Sequence, residues 1–294
     1  MGEGNFQDYG MRMYNPRIGR FFNVDPLTKD YAELTPYQFA SNMPISAIDL
    51  DGLEAKLSIA GSGGASTHYS SSDIISFDLR ASSYTKKGFK KESVHNGQMI
   101  RSAFVAATKR DGSILSIISF AHSGANGLYL DNNEGFYTAD YGVLSTTSNL
   151  SNLDEVIGDV KGGLIKFEKN ACWIFASCNA GNPDDPVRPT IDEVNLAQYV
   201  AVNLNITTIG ARGYVSPEIK NGKETGVLIS DNMAGSSAVV NPGFTMYKPI
   251  QVSNVPELLK AESTAVPNQN EFHTEILEID LGNKIDPLQY LPKK

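Results

Sequence analysis

From residue 55 onward, short apolar runs alternate with longer stretches of helical period, and this predicts strands and helices in turn. Ala55 to Ala60 reads as a first strand, and Gly61-Ser62-Gly63-Gly64 as the turn that follows it. A helix over Ser72 to Ser82 and a second strand over Phe89 to Val94 come next. In the helix from Gln98 to Lys109, the residues Met99, Ile100, Ala103, Phe104 and Ala107 fall on one face, and Asp111-Gly112 ends it. Ser113 to Ala121 is a third strand. Gly127-Leu128-Tyr129-Leu130 and Gly135-Phe136-Tyr137, separated by Asp131-Asn132-Asn133-Glu134, read as a small hairpin. Asn152 to Phe167 fits a helix interrupted by Gly162-Gly163, Cys172 to Ser177 a fourth strand, and Ile191 to Leu204 a helix. Thr207 to Ala211 is a fifth strand and Gly226 to Ser230 a sixth. Such alternation predicts an α/β fold, a mostly parallel sheet flanked by helices.

The two ends of the chain are patterned differently. Residues 5 to 53 are dense in Tyr, Phe, Pro, Asn and Gly with no helical period, which predicts short strands and turns. The stretch from Val252 to Lys294 is polar with scattered Pro and acidic residues, and is expected to form an irregular or partly helical cover. Three units follow from these shifts: residues 1–53, an α/β domain over 54–250, and a tail over 251–294.

Composition narrows the function classes. The 294 residues carry a formal net charge of −8, which argues against a dedicated nucleic-acid surface. Lys86-Lys87 with Lys90-Lys91 is too short a basic cluster to reverse that and reads as a solvated loop. No apolar stretch approaches the roughly 18 to 20 residues that span a bilayer. The opening Met1-Gly2-Glu3-Gly4-Asn5 lacks the basic-then-apolar pattern of a signal peptide, so no export signal is expected here. Cys172 and Cys178 are the two cysteines, six residues apart along one strand run, where they cannot bridge. Neither a disulfide framework nor a zinc site on them is expected, and no cofactor is implied. The Gly61-Ser62-Gly63-Gly64 turn lacks both the dinucleotide fingerprint and the Walker lysine.

Chemistry concentrates at the ends of two predicted strands. The run from Ile114 to Ala121 leads into His122, and the run from Ala171 to Ser177 leads into Cys178. The carboxyl ends of parallel strands are where α/β sheets place their sites. A thiol becomes an effective nucleophile beside a base, and an imidazole within reach supplies one. Cys178 and His122 are therefore the candidate nucleophile and its partner. Cys172, mid-strand beside Trp173, reads as a buried hydrophobe. His68, His95 and His273 sit in polar contexts without a partner motif.

Two resemblances attach to these residues. The segment Asp8-Tyr9-Gly10-Met11-Arg12-Met13-Tyr14-Asn15-Pro16-Arg17-Ile18-Gly19-Arg20-Phe21-Phe22-Asn23-Val24-Asp25-Pro26, continued by Pro36-Tyr37-Gln38-Phe39-Ala40-Ser41-Asn42-Met43-Pro44 and Asp49-Leu50-Asp51-Gly52-Leu53, resembles the closing segment of the Rhs/YD-repeat core. In that family the segment ends a β-rich shell and a variable toxin follows it, often released by self-cleavage under a pair of aspartates. The resemblance implies Gly52, Leu53 and Glu54 as the self-cleavage region, with Asp25 and Asp49 as the pair. The family's final D-P step is Asp49-Leu50 here, and turn-capping is the other reading of both aspartates.

His122-Ser123-Gly124 and Ser177-Cys178-Asn179-Ala180-Gly181 resemble the two motifs of caspase-like, clan CD cysteine peptidases, CHAT-like relatives included, over roughly Ala55 to Pro249. That resemblance implies a caspase-like sheet, Cys178 as nucleophile, His122 as its proton-transfer partner, and oxyanion donors from the main chain of Cys178 and of Ser123 or Gly124. For charge selectivity, Asp184-Asp185 and Arg212 lie near the predicted site with opposite signs. Asp184-Asp185-Pro186 reads equally as a loop turn.

Taken together the resemblances imply an Rhs-associated effector delivered by a bacterial secretion system, cutting protein substrates inside a target cell. The Rhs shell, the secretion apparatus and a cognate immunity protein would be its partners. A catalytically silent α/β binding module is the alternative. A nuclease or deaminase tip finds no support, because both the H-x-E with C-x-x-C pattern and a basic patch are missing from the sequence.

Overall fold

A computed structural model of the chain describes residues 7–8, 12–15, 17–24, 37, 54–62, 70–130, 135–138, 152–182, 194–221, 223–230, 241–251 and 274–292. The first elements are short strands: β1 (Gln7–Asp8), β2 (Met13–Asn15) and β3 (Arg20–Phe21) form a small antiparallel sheet. The Arg12 guanidinium stacks 3.7 Å from the centre of the Phe21 ring, closing it.

The α/β part begins at β4 (Ala55–Gly61) and continues through α1 (Ser71–Ser83), β5 (Lys90–Val94), α2 (Gly97–Asp111) and β6 (Ile114–Phe120). Three short strands follow, β7 (His122–Gly124), β8 (Gly127–Tyr129) and β9 (Phe136–Tyr137), and then α3 (Asn152–Lys161) and β10 (Phe167–Phe175). The chain goes on with α4 (Leu196–Leu204), β11 (Thr207–Arg212), β12 (Tyr214–Lys220), β13 (Lys223–Ser230) and β14 (Gly243–Gln251). β15 (Thr274–Asp280), β16 (Lys284–Ile285) and α5 (Pro287–Tyr290) close it.

Among the described residues the main sheet has seven strands in the order β15-β14-β11-β10-β6-β4-β5. β5, β4, β6, β10 and β11 run parallel, and β14 and β15 are added antiparallel. This is the α/β, mostly parallel, helix-flanked sheet that the alternating pattern predicts. Side chains alternate across it as the pleat requires. Leu57, Ile59, Ile117, Trp173 and Phe175 pack under α2, α3 and α4. Ala60, Ile118, Phe120, Cys172, Ile174 and Ala176 pack on the other face, under α1 and the β12-β13-β16 sheet. Trp173 is fully buried, stacked on Phe175 at 4.6 Å, and its indole N–H donates to Ser119 Oγ at 3.0 Å. The one polar atom of that ring is thereby satisfied inside the core.

Several expectations need correction. The helix expected to run to Phe167 ends at Lys161, because Gly162 and Gly163 terminate it, Gly163 at φ +76°, and Phe167 already begins β10. The expected helix from Ile191 starts at Leu196, where Asn195 caps it through Gln198 N–H; residues 191–193 lie outside the described ones. The expected sixth strand is real but lies in β13, outside the main sheet, paired with β12 and β16. The tail, expected as an irregular or partly helical cover, contributes strands beside the short helix α5: β15 pairs with β14 from Thr274 to Asp280. Of the lysine cluster, Lys86 and Lys87 sit in an exposed turn, whereas Lys90 and Lys91 lie on β5, with Lys91 on Asp78 at 2.6 Å.

Candidate active site

The strand register builds the site. β6 and β10 are neighbours at the middle of the sheet, with Ser119 opposite Phe175, and the Ala176 N–H donates to Ser119 O at 2.9 Å. Three residues on from that pair stand His122 and Cys178. Alternation from Phe120 and from Ala176, both on the α1 face, carries the two side chains to that same face. The strand ends are tied together directly, because the Ser123 hydroxyl donates to the Cys178 carbonyl.

The turn after β10 explains the motif that follows the cysteine. Asn179 adopts a left-handed conformation at φ 55°, which asparagine tolerates better than most residues. Its N–H donates to Gly213 O at 2.9 Å, and the Gly181 N–H to Ala211 O at 3.0 Å, so the loop is laid along β11. A Cβ on Gly181 would stand 2.6 Å from Gly210 O, which is why the turn needs glycine there. The same approach makes Gly210 part of the loop's seat.

Cys178 keeps some exposed surface while its thiol is surrounded by protein. Burial pushes the thiol up from its ordinary value; the Val215 N–H, 3.4 Å from Sγ, and the positive charge of Arg80 pull it part of the way back. For Cys172 the cause is burial, which pushes the thiol up to about 12. It is the buried core residue that its mid-strand position predicts.

α1 supplies what the sequence pattern leaves unseen. Asp73, Phe77 and Arg80 lie at helical spacing on the side of α1 that faces the site. The His122 Nε2 stands 3.4 Å from Asp73 Oδ2, and the Phe77 ring meets the imidazole edge-on at 5.3 Å. Arg80, 8% exposed, forms a two-pronged pair with Glu224 of β13: Nε to Oε1 at 3.0 Å and Nη2 to Oε1 at 2.9 Å. Its guanidinium also lies 4.6 Å from the centre of the Phe120 ring. The sequence signal for Asp73 is modest: a Ser70-x-x-Asp73 pattern at a helix start, which reads as a cap alone.

The remaining predicted site residues fall as follows. Gly124 is buried in β7 opposite Gly127, with the Tyr129 ring where a side chain would go. Arg212, at the end of β11, is paired with Asp280 of β15 at 3.0 Å. Glu54 is half-buried just before β4. Asp25, Asp49, Gly52, Leu53, Asp184 and Asp185 lie outside the described residues, as do His68 and His273. No group of three or more metal-ligating side chains occurs among the described residues, and no described helix is long and apolar enough to cross a membrane.

No protein-family model matches the chain. A stretch of 50 residues, 17% of the chain, is 48% identical to part of salivary gland surface protein 1 of Aedes aegypti. The match covers 1% of that protein's length.

Proposed function

We propose that this chain is an Rhs-associated effector that acts as a cysteine endopeptidase on proteins of a target cell. The observation that supports the reading is the register of β6 and β10, with His122 and Cys178 following adjacent parallel strands onto one face. Cys178 Sγ attacks a peptide carbonyl, forming the S–C bond. The thiol proton passes to His122 and from it to the leaving amine as the C–N bond breaks, and water then hydrolyses the thioester. The oxyanion forms beside the Cys178 amide, with Ser123 or Gly124 supplying the second N–H. The raised thiol fits a nucleophile that is protonated at rest and loses its proton only with substrate in place.

Substrate docking has a surface to use. β12 is the outer strand of the β12-β13-β16 sheet, and its Val215 N–H already reaches Cys178 Sγ. An extended peptide added along that edge would bring its carbonyl to the sulfur. The Rhs-like segment at residues 5–53 accounts for carriage by a secreted shell, and a producing cell then requires an immunity protein. A self-cleavage step in the Gly52 to Glu54 region, with Asp25 and Asp49, belongs to the same proposal.

The second reading, a catalytically silent binding module, is favoured by the burial that raises the Cys178 thiol. Expression in a sensitive host with and without Cys178→Ala separates the two. The peptidase reading expects the variant to lose growth inhibition, along with labelling by a thiol-directed electrophile, while keeping its circular dichroism. Inhibition that survives the substitution refutes it.

A further inference from the structure

We infer that Asp73 is a positioning residue that orients the His122 imidazole for proton transfer, an inference that rests on the cysteine–histidine reading above. The topology places it there. α1 leaves the carboxyl end of β4, the strand beside β6, so its first turn lies at the same sheet edge as His122. β5 pairs on one side of β4 and β6 on the other, so the strand order reverses at this point, and crevices in open α/β sheets form at such a reversal.

The carboxylate is itself held. Ser70 N–H donates to Asp73 Oδ2 at 2.9 Å and the Ser70 hydroxyl at 2.7 Å, while the Asp73 N–H donates back to Ser70 Oγ at 3.2 Å. A fixed acceptor is what an orienting residue must be, since a mobile one cannot select a ring orientation. Burial pushes the Asp73 carboxyl up, but the Ser70 hydroxyl and amide and the His122 ring outweigh it and hold it below its ordinary value. It therefore stays anionic wherever the site works. The Phe77 ring closes the flank of the imidazole, so Asp73 and Phe77 constrain two different degrees of freedom of one ring.

Stability does not account for the contact. Both side chains are 36% exposed, and a contact of that exposure contributes little to stability. Its consequence is orientation: the carboxylate charge 3.4 Å from Nε2 favours the ring proton on that nitrogen, leaving Nδ1 to exchange a proton with sulfur and leaving amine. The 3.4 Å separation is longer than a charge-assisted bond and shortens as the ring takes up the thiol proton.

The test measures alkylation of Cys178 by iodoacetamide from pH 6 to pH 9 in the full chain, Asp73→Asn and His122→Ala. Nitrogen-15 shifts of the His122 ring are read in parallel on the first two. His122→Ala is expected to lose the neutral-pH limb of the rate profile. Asp73→Asn is expected to lower that limb roughly tenfold and to turn a dominant Nε2–H tautomer into a mixture. Its melting temperature should hardly move, because the asparagine oxygen still accepts from Ser70. An Asp73→Asn profile and ring shifts identical to the parent, beside an impaired His122→Ala, overturn the Asp73 inference and leave the cysteine–histidine reading standing. A His122→Ala profile identical to the parent overturns that reading and the inference with it. If Asp73→Asn does not fold, Asp73→Glu keeps the charge and displaces it, and a tautomer unchanged in that variant overturns the inference equally.

Discussion

Glu224→Gln and Arg80→Met should move the reactivity of Cys178 in opposite directions. Arg80 lowers the Cys178 thiol through its charge, and Glu224 is bound to that charge by two prongs on the far side of α1 from solvent. In Glu224→Gln the amide oxygen still accepts from the guanidinium, but the neutralising charge is gone and the field of Arg80 at the sulfur grows. A gain of ~1.4 kcal/mol in thiolate stabilisation is a tenfold effect. It raises the thiolate fraction at pH 7 about tenfold, while the lower basicity costs nucleophilicity with a coefficient near 0.4–0.5, leaving a net gain of about three- to fourfold in alkylation rate. Arg80→Met should slow alkylation by a similar factor. It should also destabilise the chain by about 3 kcal/mol, near the low end for breaking a buried pair, because Glu224 at 17% exposure retains some solvent. The assay is clean because the chain has two cysteines and Cys172, pushed up to about 12, stays protonated. Rates that shift in the same direction in both variants, or in neither, would refute this electrostatic account.

Gly181→Ala forces a Cβ into Gly210 O and should lift the Cys178 loop off β11, with a loss of roughly 1–3 kcal/mol in urea unfolding and slower Cys178 alkylation. A variant of parental stability would show that the loop has room to shift. Acidification should loosen α1 before α4. Asp73 and Asp78 both have lowered carboxyl pKa values, Asp73 against burial through Ser70 and His122, and Asp78 chiefly through Lys91. Their contribution is present above the ordinary carboxylate pKa and is lost as pH falls through the lowered values. α4 is capped by the Asn195 amide, which does not titrate. Amide hydrogen exchange between pH 5 and pH 2, with rates corrected for intrinsic pH dependence, should show α1 protection falling first; simultaneous loss would refute the assignment.

Much of the core was legible in the sequence because burial on both faces leaves a continuous apolar run. Ile114 to Phe120 and Ala171 to Phe175 are fully buried strand segments, and a parallel central strand leaves no other composition. The pleat then makes the facing of the two candidate residues a matter of counting: Phe120 to His122 and Ala176 to Cys178 are each a step of two. The outer strands were harder to read. β12 and β13 are only partly buried and β15 is mostly exposed, so Thr274-Glu275-Ile276-Leu277-Glu278-Ile279-Asp280 carries a mixed pattern that resembles a polar tail. The early start of β10 was hidden by Glu168, Lys169 and Asn170, which are half-buried or exposed where β10 begins, with a register shift against β6 between Phe167 and Cys172.

By itself the sequence determined the alternation of strand and helix, the residues of the central strands, and the places of His122 and Cys178 at two strand ends. These are local properties, set by period, apolar content and turn chemistry along the chain. Only the tertiary structure decided that β6 and β10 are neighbours, that α1 brings Asp73 to the imidazole and Arg80 toward the thiol, and that Glu224, 144 residues from Arg80, shares its charge. The physical reason is that pairing between strands and the field at a buried sulfur depend on distances in space between groups far apart in the chain, and no window of sequence encodes them.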